Sequence, residues 1–289
     1  MFLADNWRDF EVVDTGDGMK LERWGDIILA RPDPQVIWPR MQPRSWEQAD
    51  AVYTRSGEGG GSWAFHRKLP ENWQVTYKNL RFLVRPTGFK HTGLFPEQAA
   101  NWDWMTSLVA KRPGAKILNL FAYTGGATLA LIMAGAHVTH VDAAKGMVLW
   151  AKENCQLNRA NETMSRFIIE DAKAFVQREL RRGNTYDGIL MDPPSYGRGP
   201  NGEVWKLENE LFPLAQLCAK LLSPKPLFFL INGYTTGFQP AVLHNIIHRA
   251  VSPLHEGTIS AQELCLPVSS GGILPAGASG RWQAKGAAL

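Results

Sequence analysis

The chain has 289 residues, 45% of them apolar and 20% charged, with a formal net charge of +4. This length suits one large domain or two, and the balance excludes a disordered or collagen-like chain. No apolar run approaches the roughly 18 residues of a membrane-spanning helix.

The three cysteines, Cys155, Cys218 and Cys265, are odd in number, widely spaced and without a C-x-x-C pattern. They argue against a disulfide framework or zinc ribbon and suit a reducing compartment. Met1 to Trp7 show neither the basic start nor the apolar stretch of a signal peptide. The expectation is a soluble cytoplasmic protein with no membrane partner. Charge is unevenly spread: residues 1–39 carry four Lys/Arg against eight Asp/Glu, and residues 40–90 carry nine against four. Such a basic segment marks either an anionic partner such as nucleic acid or a solvated face.

Up to about residue 105 the chain is rich in Trp and turn residues, with eight of the eleven tryptophans. Short β-like runs at 26–30, 73–77 and 80–84 alternate with Pro and Gly clusters, and 57–62 reads as a hairpin tip or loop. These runs predict a small, mostly β N-terminal domain over residues 1–90, a candidate for substrate binding. Most of its tryptophans are expected as core rings, with stacking on bases as the alternative.

From about residue 106 strands and helices alternate. Strands are predicted at 116–121, 137–142, 166–170, 186–192 and 227–231, with a terminal pair around 258–268 and 280–284. Helices are predicted over 128–134, through Met147, Leu149, Ala151 and Cys155, then over 172–182, 208–222 and 241–250. This alternation gives the fold class: α/β, with a Rossmann-like, seven-stranded, mostly parallel sheet and helices on both faces, over residues 91–289.

In such sheets ligands bind beyond the carboxyl ends of the strands, where the strand order reverses. The first strand runs into Asn119-Leu120-Phe121-Ala122-Tyr123-Thr124-Gly125-Gly126, whose paired glycines let backbone N–H groups approach a ligand closely. It is not G-x-G-x-x-G, which disfavours a dinucleotide site; alone it reads equally as a tight turn. The second ends in Asp142, 23 residues after Asn119, a spacing at which an acid can take both hydroxyls of a ribose. The third ends in Asp171-Ala172, where Asp171 can accept from an exocyclic amine, cap the next helix, or do both. The fourth ends in Asp192-Pro193-Pro194-Ser195-Tyr196, a rigid turn poor in N–H donors that offers acceptors beside an aromatic ring. That pattern suits a planar base with an amino group. Each feature alone has a bland alternative, but four in order are hard to obtain by chance.

These residues, together with Val141-Asp142 and Ala151-Lys152-Glu153-Asn154, closely resemble the class I S-adenosylmethionine-dependent methyltransferases. Within them the match is nearest to the large-subunit ribosomal RNA family that modifies cytosine C5 or guanine N7. His91-Thr92-Gly93-Leu94-Phe95-Pro96-Glu97-Gln98 resembles the segment covering the cofactor in that family, which has Arg where this chain has Ala99. The resemblance implies that Phe95 and the turn Asn119 and Phe121 to Gly126 surround the methionine part of S-adenosylmethionine. It places Asp142 and Ala143 at the ribose, and Asp171 and Ala172 at the adenine. Asp192, Pro193, Pro194 and Tyr196 fall where the methyl group meets its acceptor, with Asp192 also touching the cofactor.

Methylation at cytosine C5 needs a thiolate to add to the ring. Neither Phe229 to Thr235 nor Ser195 to Gly197 contains a cysteine, so direct transfer to a base nitrogen of RNA, ribosomal RNA in the first instance, is expected. Arg198, Lys206 and the 197–202 loop are candidates to close over the RNA backbone or to be a solvated loop, and Asn232 and Tyr234 to line the pocket floor. His244 and His248, four apart on a helix, read as surface residues, and no metal is expected. The competing readings are a methyltransferase for protein or small molecules and a non-catalytic RNA-binding module.

Overall fold

The computed structural model describes residues 1–56, 60–198, 204–235 and 237–287. Contacts divide the chain into two units, one of Leu3–Ala100 with Cys265–Ala276, the other of Met1–Phe2, Asn101–Leu264 and Gly277–Leu289. Where the sequence places a boundary at 90/91, this division falls at 100/101 and also assigns a short C-terminal segment to the N-terminal unit.

After a two-residue strand β1 (Phe2–Leu3), strands β2 (Phe10–Gly16), β3 (Met19–Trp24), β4 (Ile27–Pro32), β5 (Ala51–Arg55) and β6 (Gly61–Phe65) pair in that order, and β7 (Trp73–Tyr77) with β8 (Leu80–Val84) makes a separate hairpin. Asp17 and Gly18 join β2 to β3 with φ of 54° and 75°, the left-handed pair that matches strand twist in a two-residue hairpin. Of the six tryptophans in residues 1–90 only Trp24 and Trp46 are buried core rings; Trp7, Trp38, Trp63 and Trp73 are half-buried, fewer in the core than the sequence predicts.

Part of the acidic charge of the first segment lies inside. Asp14, Glu22 and Asp33 are buried, whereas Arg44, Arg55, Arg67, Lys68, Lys78 and Arg81 are exposed. Glu22 is fully buried and receives Arg31 in a fork, Nε at 2.6 Å and Nη2 at 2.8 Å. Burial opposes its ionisation, but Arg31 and Lys20 prevail and hold the carboxyl below the ordinary glutamate range. Its stabilisation is therefore full above the unfolded-state pKa and is lost as pH falls through the folded one. Glu22→Ala strands a buried guanidinium and should cost about 3–5 kcal/mol in urea unfolding, whereas the double change Glu22→Leu/Arg31→Met should cost less.

In the second unit, α1 (Ala99–Val109) leads into β9 (Lys116–Leu120), α2 (Gly126–Met133), β10 (His137–Asp142), α3 (Lys145–Leu157), β11 (Ser165–Ile169), α4 (Ala172–Arg182) and β12 (Gly188–Met191). The hairpin β13 (Tyr196–Arg198) and β14 (Val204–Lys206) precedes α5 (Leu207–Ala219), β15 (Phe228–Gly233), α6 (Pro240–Ala250), β16 (Gly257–Pro267) and β17 (Ile273–Ala284). The sheet order is β1-β16-β17-β15-β12-β9-β10-β11. The pairs among β15, β12, β9, β10 and β11 are parallel, and β17 runs antiparallel to β15.

The sheet thus has eight strands rather than seven, because β1 joins its edge; two residues are too few to show a period. β12 and β15 are buried at every position, as strands covered on both faces must be. Val141, Ile189 and Phe229 pack with Phe175, Leu214 and Ile247 of α4, α5 and α6, while α2 and α3 pack along β10.

Candidate active site

Strand order reverses between β9 and β12, and the predicted motifs gather there. The turn after β9 is tied to β10 by Ala122 N–H to Val141 O (3.1 Å), the turn after β12 to β9 by Asp192 N–H to Leu120 O (3.3 Å), and β11 to β10 by Glu170 N–H to Asp142 O (3.2 Å). Four strand ends are therefore held side by side.

Phe121 and Tyr123 adopt φ of 55° and 50°, an uncommon state for non-glycine residues that persists only where the surroundings fix it. At Tyr123 what fixes it is Asp142. Its Oδ2 accepts from Tyr123 N–H and its Oδ1 from Ala144 N–H, both at 2.8 Å. Each oxygen keeps a lone pair for a further donor. Burial raises the Asp142 carboxyl above its ordinary range, and the two amides oppose that shift without cancelling it. Ala143, the next residue, is exposed.

Gly125 caps α2 with no side chain, at φ 81°, so the first amides of the helix are left for a ligand. A Cβ there would lie 2.8 Å from Ala151 Cβ on α3, so only glycine fits. Gly126 opens the helix and is half-buried.

Asn119 sits deeper than the sequence suggests. It is buried, and its Nδ2 donates to Thr128 Oγ1 (2.9 Å), which in turn lies 2.9 Å from His140 Nδ1. Asn119 and His140 are direct partners across the β9–β10 ladder, so this network is a product of register. Burial pushes the His140 imidazole down to about 3, keeping it neutral. On the other side, Asn154 of α3 donates Nδ2 to Thr124 O at 2.9 Å, both residues buried. Asn154→Leu leaves that carbonyl without this donor; the expected loss is about 1–3 kcal/mol in urea unfolding, with weaker binding of any ligand held by the turn.

Asp171 is the N-cap of α4, its Oδ1 accepting from Ala174 N–H at 2.9 Å, and Ala172 behind it is buried. The capping alternative is therefore realised, and it engages only one carboxylate oxygen. In the Asp192 turn, Pro193 is buried while Pro194, Ser195 and Tyr196 are exposed. Pro194 O accepts from Trp205 Nε1 (2.7 Å) and Ser195 O from Leu207 N–H (3.1 Å), which engages one lone pair of each carbonyl and leaves the other. Ser195 Oγ lies 2.6 Å from Thr235 Oγ1.

Trp205 is a site residue without a sequence signal. It joins the turns, since its ring also meets Phe121 at 5.0 Å between centroids. A single Trp after a glycine-containing loop carries no sequence signal for that. Residues 199–202 of the proposed closing loop, and the Arg198 side chain, lie outside the described residues.

Asn232 is buried, its Oδ1 accepting from Asn101, whose own Oδ1 accepts from Ser279 and Arg281. The three cysteines are buried, and burial raises the Cys155 thiol to about 11 and the Cys218 thiol further. His244 and His248 stack on the exposed side of α6, and no cluster of three metal-ligating side chains occurs among the described residues. None of the described helices is long and apolar enough to cross a membrane. Phe95 lies in the N-terminal unit, half-buried against His91 at 5.3 Å between rings.

A family model described as S-adenosylmethionine-dependent methyltransferase matches residues 55–250. The chain belongs to that family. A solved structure of a SAM-dependent methyltransferase from Agrobacterium tumefaciens is 38% identical and superposes with a TM-score of 0.92, covering 98% of this chain and 93% of that one. Among curated proteins, the ribosomal RNA large subunit methyltransferase K/L of Syntrophotalea carbinolica is 30% identical over 62% of this chain. Its counterpart from a Shewanella species is 30% identical over 70% of this chain. The chain spans only 25% and 27% of those two relatives.

The cofactor of this methyltransferase is S-adenosylmethionine, and the residues present fit it. The amide-anchored Asp142 offers lone pairs to hydroxyl donors, and the N-terminal amides of α2 have no side-chain cap. The sulfonium is a cation, which carboxylates at the strand ends favour.

Proposed function

We propose that this methyltransferase acts on a base nitrogen of RNA, ribosomal RNA in the first instance, in the cytoplasm and without a cysteine nucleophile. The observation carrying this reading is the turn after β12, where Asp192 and Pro193 stand beside the exposed ring of Tyr196, while the described thiols are buried. In this reading Asn119 and residues 121–126 shape the methionine end of the cofactor site. Asn119 acts through Thr128, from beneath the turn. Asp142 and Ala143 hold the ribose, and Asp171 and Ala172 hold the adenine.

Bound S-adenosylmethionine supplies an electrophilic methyl group. Asp192 orients the acceptor amine and takes the proton it sheds, Pro193 and Pro194 fix the backbone around it, and Tyr196 stacks on the base. Positioning supplies the acceleration, and no covalent enzyme intermediate is needed. The ribosomal RNA relatives support RNA as the substrate class, and the exposed basic residues of the N-terminal unit support that unit as its binding platform.

RNA containing 5-fluorocytidine separates this chemistry from C5 methylation, because a thiolate adding to that ring is trapped as a stable adduct. Turnover with no adduct surviving denaturing electrophoresis is expected. An adduct would move the methyl group to C5 and require one of the buried thiols to become accessible.

A further inference from the structure

The N-terminal unit carries an aromatic cluster that the methyl-transfer site leaves unexplained. On β5–β6, Arg55 pairs with Gly61, Tyr53 with Trp63, and Ala51 with Phe65, so these six residues share one face. Tyr53 is buried and meets Trp63 edge-on at 5.3 Å. Trp63 then stacks on Phe65 at 6.3 Å and 26° between ring planes, and Phe65 is 53% exposed.

A second aromatic is held beside them. Trp63 Nε1 donates to Thr87 O at 2.9 Å and to Phe89 O at 3.3 Å, and Thr87 Oγ1 closes the loop onto His91 O at 2.8 Å. This fixes the loop while leaving Phe89 66% exposed at its tip. A hydrophobic ring so displayed, on a loop tied by its own hydrogen bonds, is a presented surface rather than a packing failure.

The surroundings are cationic. Lys90 is half-buried, and burial together with Lys20, Arg55 and Arg31 pulls its ammonium down to about 8, against the opposing influence of Asp33. The same cations, with burial, push His91 down to about 4. An anion brought to Lys90 and Arg55 relieves that crowding. Exposed rings on a unit that also places Arg55 and Lys90 near each other match a strand whose unpaired bases stack and whose phosphates carry charge. A protein partner needs no such combination of ring and cation, and a duplex hides its base faces.

We propose that Phe65 and Phe89, seated around Trp63 and flanked by Arg55 and Lys90, form a stacking platform for single-stranded RNA. This deepens, and rests on, the reading of the enzyme as an RNA methyltransferase.

The test uses the full chain, a short fluorescein-labelled single-stranded RNA and its duplex, with Phe65→Ala/Phe89→Ala and Arg55→Gln/Lys90→Gln as paired variants. Trp63 is left in place because it anchors the loop, and thermal melting checks that each variant is folded. Wild type should prefer the single strand. The aromatic pair should lose about tenfold in affinity per ring. The basic pair should flatten the log–log salt slope by about 0.7 for each cation removed.

Variants that bind the single strand as wild type does would overturn the platform, as would equal binding of duplex and single strand. Labelled-methyl transfer distinguishes this from failure of the underlying reading. RNA methylation undiminished in the aromatic pair removes the platform and keeps the RNA methyltransferase. Patch-dependent RNA binding with label found only in protein keeps the platform and removes the RNA methyltransferase.

Discussion

Asp142→Ala should weaken S-adenosylmethionine binding by about 100-fold or more in isothermal titration calorimetry. Two hydrogen bonds to a charged acceptor are worth about 1.5–3 kcal/mol each, and each 1.4 kcal/mol is about tenfold. The substitution also releases Tyr123 and Ala144 N–H from the carboxylate, so the turn loses what holds Tyr123 at φ 50°. Asp142→Asn should lie between. Its amide nitrogen must face one of two backbone donors, which breaks one anchor and keeps the other.

The same residue sets a pH dependence. In the proposed reading the ionised carboxylate accepts from the ribose hydroxyls and protonation removes an acceptor, so affinity should be full above the folded pKa and fall as pH drops through it. Burial raises that pKa, so the decline should begin at a higher pH than for an ordinary aspartate. Calorimetry on acidification should show this in wild type, and a nearly flat profile in Asp142→Asn.

Asp192→Asn should lower kcat for methyl transfer by about 10²–10⁴, the range for losing a positioned proton acceptor. The amide keeps the size and can still accept a hydrogen bond, but it cannot take up the proton. The loss should therefore fall on kcat more than on cofactor affinity. Single-turnover transfer with saturating RNA measures it directly. A change within threefold of wild type, roughly 0.65 kcal/mol, would remove Asp192 from the reaction.

Much of this enzyme is legible in its sequence because periodicity and strand ends are local signals. The alternation from Lys116 onward gives the sheet, and β10, at 137–142, and α4, at 172–182, have their predicted bounds. β17 was harder. It starts at Ile273 rather than near 280: Pro275, Gly277 and Gly280 mimic turn punctuation, but β17 lies between β16 and β15, and β15 pairs with it from Ala278 onward.

Within the site, the strand-end place of Asp142 and the cap at Asp171 follow from residue type and position. The burial of Asn119 does not, since it depends on His140 lying opposite in the neighbouring strand. Nor does Trp205, whose contacts to Phe121 and Pro194 exist only once the β13–β14 hairpin has folded back. Tertiary register decides both, and no window along the chain contains it.

The measurement that bears most directly on the central claim is transfer of a tritium-labelled methyl group from S-adenosylmethionine to unmodified ribosomal RNA. Transfer RNA, DNA and a protein extract serve as competing acceptors, and the products are digested to nucleosides and amino acids. The account predicts label in one ribonucleoside, on a ring or exocyclic nitrogen, and its loss in Asp192→Asn. Label at cytosine C5, or in protein alone, would contradict it.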